Sequence, residues 1–460
     1  MSTFVGCVWV VIKVSGDYES NTKPDISVSR PLDSGQVGGA RVAPPTLSRL
    51  RTFESLRVPA FRWYLISTLG LGGAFMMHMI VTGYVVFVLT DSYAALGIVA
   101  LADAISGLLL NMWGGVLADR FPKKQIMQIG LLAAAFVVTC VAILLVLDVL
   151  VFWHLIVSMA IEGAIFALLM PARQSMIPEI VGLKLLQNAV ALNMGCMSVM
   201  RLIAPAIGGV LLAVIGAEYV YLFIAGCFIF TAGILSRIPN IPTSALEDST
   251  LEAEYGVTVE VRRAIRELID GFRYLAENPT VRMLILSNIV IVMFSMPYMT
   301  ILPGYVLDVL KGGPETIGVL HSIAGLGSVV GTLIVASMSA RHRGLVLLAG
   351  PFLMGIALII FTMSTELWIV GSIMLVISLG QTFRMSLNNV LVHTYVADSY
   401  RGRMMSIQMM QWTVVSLGGF VLGVFASIVG PVAALRGMAV LLLIIVVAVA
   451  VFIPRLRNLD

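Results

Sequence analysis

The chain has 460 residues, 59% of them apolar and only 12% charged, with a mean hydropathy of +0.99, whereas a soluble domain carries about 25% charge. That excludes a water-soluble enzyme and leaves an integral membrane protein, long enough for a dozen spans of roughly 20 residues plus one sizeable polar loop. The net charge of +4 is spread over short loops instead of gathered in a patch, so it bears on topology and gives no reason to expect nucleic acid as a partner.

In chain order, residues 1–55 mix Ser, Pro, Gly and charge and are expected to form a disordered cytoplasmic extension. The apolar piece Phe4 to Val14 is too short to span and lacks the marks of a signal peptide. Leu56 to Tyr64, with Arg57, Arg62 and Trp63, reads as an interfacial lead-in. Apolar runs follow at 63–89, 94–118, 124–147, 150–171, 187–214 and 219–237, then at 282–308, 315–338, 345–363, 367–390, 404–429 and 432–453. The expected organisation is therefore a six-helix bundle over 56–237, a cytoplasmic linker over 238–281, and a second six-helix bundle with a short tail over 282–460. Within the linker, Val259 to Ala276 keeps apolar residues at helical spacing between Arg262, Arg263, Arg266 and Arg273, as an amphipathic helix does. Cys7, Cys140, Cys196 and Cys227 form no C-x-x-C pair, so neither a disulfide frame nor a metal site is expected. Gly325-x-Gly327-x-x-x-Gly331 misses the dinucleotide spacing and reads as helix packing; no cofactor is expected.

Loop charges set the orientation. Arg120, Lys123 and Lys124, then Arg173 and Lys184, the linker, Arg341 and Arg343, and Arg401 and Arg403 fall on alternate loops, while Asp91, Asp148, Glu218, Glu366 and a lone Lys311 flanked by Asp308 and Glu315 mark the others. By the positive-inside bias, both termini and the linker are cytoplasmic. The halves also repeat: aligning Gly83-Tyr84-Val85 with Gly304-Tyr305-Val306 places Gly97 on Gly318 and Arg120 on Arg341 without a gap, with Asp119 falling on Ala340. The fold class is thus all-α, twelve transmembrane helices in two pseudo-symmetric bundles, with a substrate site expected between the halves near the midplane.

Between the second and third runs stands Gly114-Gly115-Val116-Leu117-Ala118-Asp119-Arg120-Phe121-Pro122-Lys123-Lys124. The glycines admit a close helix neighbour, and Asp-Arg followed by a Pro-Lys-Lys turn ends the apolar run at a membrane surface. This stretch resembles the loop between the second and third helices of the major facilitator superfamily. Gly115, Asp119, Arg120, Lys123 and Lys124 match that pattern, and Pro122 replaces its usual glycine. The resemblance implies a conformational-switch loop. In the fifth run, Arg201-Leu202-Ile203-Ala204-Pro205-Ala206-Ile207-Gly208-Gly209 resembles the antiporter signature Gly-Pro-x-x-Gly-Gly, with Ala204 for the first glycine; Pro205, Gly208 and Gly209 make a bent, tightly packed helix. Pro171-Ala172-Arg173, Ile177-Pro178-Glu179, Asn188, Asn193 and Arg401-Gly402-Arg403 are similar to the drug-proton antiporter branch that includes macrolide and enterobactin exporters.

Asp103, Glu162 and Arg201 sit inside apolar runs, roughly 15–22 Å from the cytoplasmic ends by helix rise. A charge there costs about 2.5–3.5 kcal/mol or more, so each needs a partner or a wet cavity. They are candidates for proton coupling, with Arg201 as counter-charge, or for a structural ion pair. His78, Gln381, Arg384, Asn388, Gln408 and Gln411 are candidates to line the cavity, and interhelical hydrogen bonding explains the same pattern. No catalytic motif is present, so an enzyme is not expected. The resemblance implies a secondary transporter of the cytoplasmic membrane, acting as a monomer, that exports an amphiphilic small molecule (a drug, a siderophore or a lipid-like compound) in exchange for protons. Uptake, lipid flipping and a non-transporting receptor or scaffold are the alternatives.

Overall fold

The computed structural model describes residues 51–239, 266, 269–338, 342–397, 400–457 and 459, with side chains except at 51, 52, 111, 112, 115, 116, 118–120, 406 and 409. In lipid a backbone satisfies its polar groups only within helices or closed barrels, and the apolar runs accordingly fold as helices. We number the crossings α1 (Pro59–Thr90), α2 (Tyr93–Arg120), α3 (Lys123–Val146), α4 (152–181), α5 (183–215) and α6 (Ala217–Ser236). The second half holds α7 (Pro279–Ser295 and Tyr298–Asp308), α8 (Pro314–Ser337), α9 (Arg343–Phe361), α10 (Leu367–Tyr395), α11 (Arg401–Met409 and Gln411–Val429) and α12 (Pro431–Phe452).

α4 and α5 are two arms of one helical run, Phe152–Ile215, broken at Gly182, whose φ of 69° is a left-handed conformation that glycine adopts without strain. Twenty-four residues of straight helix would hold Arg173 and Met197 about 36 Å apart. Yet Arg173 Nη2 lies 3.9 Å from Met197 Sδ, so the run doubles back. Counting that run twice, the eleven segments long and apolar enough to cross a membrane give twelve crossings among the described residues. Gly216 (φ 86°, ψ 164°) joins α5 to α6, and Gly430 (φ 87°, ψ 152°) joins α11 to α12 with the same turn, a backbone trace of the duplication.

Buried apolar side chains such as Tyr64, Leu131, Phe228, Tyr305 and Phe361 fill the bundle interior. Trp368 (89% exposed) and Phe452 (82%) point outward, which suits contact with lipid tails. The two halves meet along two seams related by the repeat. In one, α2 packs on α11, where a Cβ on Gly97 would lie 2.6 Å from Phe420 Cα; in the other, α5 packs on α8, where a Cβ on Gly209 would lie 2.9 Å from Gly318 Cα. Gly97 and Gly318, matched in the sequence repeat, are thus both points of close backbone approach. Among the described residues, three hydrogen bonds cross between the halves: Tyr93 OH to Asp308 Oδ2 (3.0 Å), Ala94 N to Ser427 Oγ (3.0 Å) and Ala206 N to Ser322 Oγ (3.0 Å). All three lie toward the end that carries Asp91, Glu218 and Asp308, where the halves are closed on each other.

Order begins before residue 55: Arg51–Arg57 forms a 3-10 turn, and Ser55 bonds Asn188 Oδ1 through its N–H (3.0 Å) and its hydroxyl (2.6 Å). The rest of the expected N-terminal extension lies outside the described residues. Of the amphipathic linker helix, 269–277 is helical, with Leu275 buried against α7, α10 and α11 and Ile269 and Phe272 exposed; 259–265, 267 and 268 lie outside the described residues.

Candidate functional site

Two buried polar clusters stand out, one in each half. In the first, Glu162 on α4 is 2% exposed, and its Oε2 lies 3.4 Å from His78 Nδ1 on α1. His78 and Thr82 share a face of α1 one turn apart. His78 Nε2 is 3.3 Å from Thr82 Oγ1, which is 2.9 Å from Tyr221 OH on α6. The His78 ring also meets the Tyr221 ring edge-on at 5.7 Å. Glu162 Oε1 has no hydrogen-bond partner among the described residues. Gly163 lets α2 close on α4: a Cβ there would lie 2.7 Å from Asp103 Oδ1, so Asp103 packs beside the acid. A carboxylic acid beside an imidazole carries no net charge whether the proton sits on oxygen or on nitrogen. Gaining or losing one proton changes the charge of the whole cluster, and this is the chemistry of a single-proton carrier.

Arg201 and Glu162 are not paired among the described residues. Arg201, read as the counter-charge, is exposed and makes no ion pair among the described residues, while its carbonyl packs against Gly325 of α8. The partner of Glu162 is His78, which in sequence is an isolated histidine. His321 is satisfied on its own helix, Nδ1 to Ile317 O at 2.9 Å.

The second cluster joins α7, α10 and α11. Arg384 is 2% exposed and donates from Nη1 to Asn288 Oδ1 (2.6 Å), and its Nη2 lies 3.7 Å from Met296 Sδ. Asn288 donates from Nδ2 to Gln411 Oε1 (3.3 Å), Gln381 Nε2 also reaches Met296 Sδ (3.7 Å), and Gln408 Nε2 donates to Asn389 Oδ1 (2.6 Å). Asn388 is 1% exposed, and its Oδ1 is unsatisfied. Of the expected cavity residues, Gln381, Arg384 and Gln411 come together, with Asn388 and Gln408 beside them, and His78 belongs to the other cluster. The sequence reading passed over Thr82, Tyr221, Asn288, Ser295 and Tyr298. Asn288 alone carried a readable signal, as a lone amide inside an apolar run.

At the basic end, α2 closes at Arg120, and α3 begins with Pro122 at its N-cap. Lys123 Nζ forms an ion pair with Glu179, and Lys124 Nζ donates to Ser236 O (3.0 Å) and Ile238 O (2.7 Å), satisfying carbonyls at the end of α6. Both lysines thus tie the loop to its own half. The side chains of Gly115, Asp119 and Arg120 lie outside the described residues. Arg173 donates from Nη2 to Thr68 Oγ1 (3.0 Å), and Tyr64 OH donates to Arg173 O (3.1 Å). In the Pro205 motif, the Ala206 N–H goes to Ser322 on α8, Gly208 packs on Met77, and Gly209 sits in the α5–α8 seam. No group of three or more His, Cys, Asp or Glu is placed to hold a metal among the described residues.

A duplicated twelve-crossing bundle with buried polar clusters in both halves defines a secondary transporter of the major facilitator superfamily, a membrane carrier and not an enzyme. Residues 50–460 match the family described as transmembrane secretion effector, and the chain belongs to it. It is 27% identical to the staphyloferrin A transporter of Staphylococcus aureus, over 75% of this chain and 85% of that one. It is likewise 27% identical to the enterobactin exporter EntS of Shigella boydii, over 75% and 80%. Its fold is similar to the crystal structure of the nucleoside transporter NupG, with a TM-score of 0.68 at 12% identity, covering 86% of this chain and 99% of that one.

Proposed function

We propose that the protein exports an amphiphilic small molecule across the cytoplasmic membrane in exchange for protons, by alternating access between the halves, with both termini cytoplasmic. The buried Glu162–His78 pair carries this reading, because a titratable pair with one unsatisfied carboxylate oxygen at mid-membrane depth is what a proton carrier requires. The direction and the class of cargo are supported by relatives named for exporting enterobactin and for transporting staphyloferrin A, and the orientation by the basic loops. In this scheme the α2–α3 loop and the α5 motif serve the conformational change, and Asp103 adjusts the acid beside it.

The test is flux in proteoliposomes, with a cargo first identified by accumulation assays in cells. Glu162→Gln and His78→Gln are expected to retain cargo binding and to lose acceleration by an imposed pH gradient. Wild-type gradient dependence in folded Glu162→Gln overturns the assignment. A lower melting temperature in Glu162→Gln with gradient dependence intact marks the pair as structural.

A further inference from the structure

We infer that the cluster around Arg384 is the seat for an anionic group of the cargo, a carboxylate or a group of like charge and size. The inference rests on the reading that side chains between α7, α10 and α11 meet the transported compound. Arg384 is a buried cation surrounded by dipoles alone: an amide oxygen on Nη1, a thioether on Nη2, and nothing on Nε. It makes no ion pair among the described residues. A guanidinium inside a membrane bundle without a counter-charge is held at a cost that an arriving anion removes. Arginine is also the side chain whose flat fork matches a carboxylate.

Most of the unsatisfied groups fall on the same three crossings. Six buried side-chain atoms lack a hydrogen-bond partner among the described residues; one is Glu162 Oε1, and the other five are Ser295 Oγ, Tyr298 OH, Arg384 Nε, Asn388 Oδ1 and Gln408 Oε1. Ser295 and Tyr298 flank the break in α7, Arg384 and Asn388 share a face of α10, and Gln408 precedes the break in α11. The atoms on Arg384, Ser295 and Tyr298 supply donors for an anion. The two amide oxygens accept from a hydroxyl or amide hydrogen next to it. Their combination describes a hydroxylated or amide-bearing organic anion.

The backbone gives an independent sign. α7 stops at Ser295 and resumes at Tyr298, with Met296, the thioether neighbour of Arg384, inside the gap. α11 stops at Met409 and resumes at Gln411, the residue bonded to Asn288. Both local irregularities, which keep right-handed φ and ψ at Met296, Pro297 and Met410, therefore border one hydrogen-bonded network.

The test uses the full chain in detergent micelles, titrated with 3-hydroxy-2-naphthoate and with its neutral twin, 3-hydroxy-2-naphthamide, and followed by ligand fluorescence. The carboxylate is expected to bind the wild type about tenfold more tightly than the amide, the factor that roughly one net charge-assisted hydrogen bond supplies. Arg384→Met brings that ratio to about one and raises the melting temperature of the unliganded protein, because a buried unpaired charge is gone. Asn388→Asp, one turn from Arg384, supplies an internal carboxylate and removes the preference by addition instead of deletion. No gradient is present, so a failure of proton coupling leaves this readout untouched. Equal binding of the two probes by wild type, or a preference that survives in whichever variant folds, overturns the inference.

Discussion

Gly209→Ala adds one methyl group at a tight point of the α5–α8 seam. Its Cβ would lie 2.7 Å from Pro314 O and 2.9 Å from Gly318 Cα, both backbone atoms that cannot rotate away. Ordinary carbon contacts sit near 3.5–4.0 Å, so the seam must part by about 1 Å. Overpacking of this kind costs about 1–3 kcal/mol, and it is felt only while the seam is closed. The equilibrium should therefore move about 5- to 150-fold toward the conformation with the seam apart. If the two states begin evenly matched, the closed fraction falls from about one half to between about one sixth and one part in 150. The assay places cysteines at Ala94 and Ser427, whose backbone N and side-chain Oγ are 3.0 Å apart across the other seam. The background lacks the four native cysteines, and the readout is the rate of cross-linking by a short thiol reagent. Gly97→Ala, 2.6 Å from Phe420 Cα, perturbs its own seam in the same direction, whereas Gly226→Ala meets nothing within 4 Å and serves as the control. An unchanged rate in Gly209→Ala, or an equal loss in Gly226→Ala, refutes the reasoning.

The Lys123–Glu179 pair, 12% and 25% exposed at the side chains, should show a coupling of about 1 kcal/mol in a double-mutant cycle of Lys123→Gln and Glu179→Gln by denaturation in detergent; independent additivity would make the contact incidental. Cysteines placed at Ser244 and Ser364 should label from opposite faces of intact cells, the first from the cytoplasm and the second from outside, because basic residues mark the loops on the Ser244 side. Labelling of both from one face would break the orientation argument.

The crossings were legible because lipid leaves the backbone one choice, and each run stops where charge or a turn residue enters. The depth of Glu162 was legible too, by counting residues along a helix. Its partner was not: depth and helical face do not say which neighbouring helix rotates toward that face, and the count brought Asp103 and Arg201 to the same depth while His78 stood as an isolated histidine. The structure resolves the choice through Gly163, which draws α2 and Asp103 against α4, and through α1, which presents His78. The breaks divide in the same way. Pro297 advertised the one in α7, while the break in α11 falls at Met410, with neither Pro nor Gly at the site.

The first half closes most of its own polar contacts: Ser55 with Asn188, Thr68 with Asn193 and Arg173, Thr82 with Tyr221, and Lys124 with the end of α6. Only three hydrogen bonds reach across to the second half among the described residues. During synthesis the first six crossings can therefore settle most of their polar contacts in the bilayer while the ribosome is still making the rest, with the Tyr93 hydroxyl and the Ala206 N–H among the few donors left for later helices. The same economy means that the chain severed within the linker and expressed as two polypeptides should reassemble in the membrane, because the halves meet along glycine-lined seams and a common apolar core and need few specific hydrogen bonds to find each other.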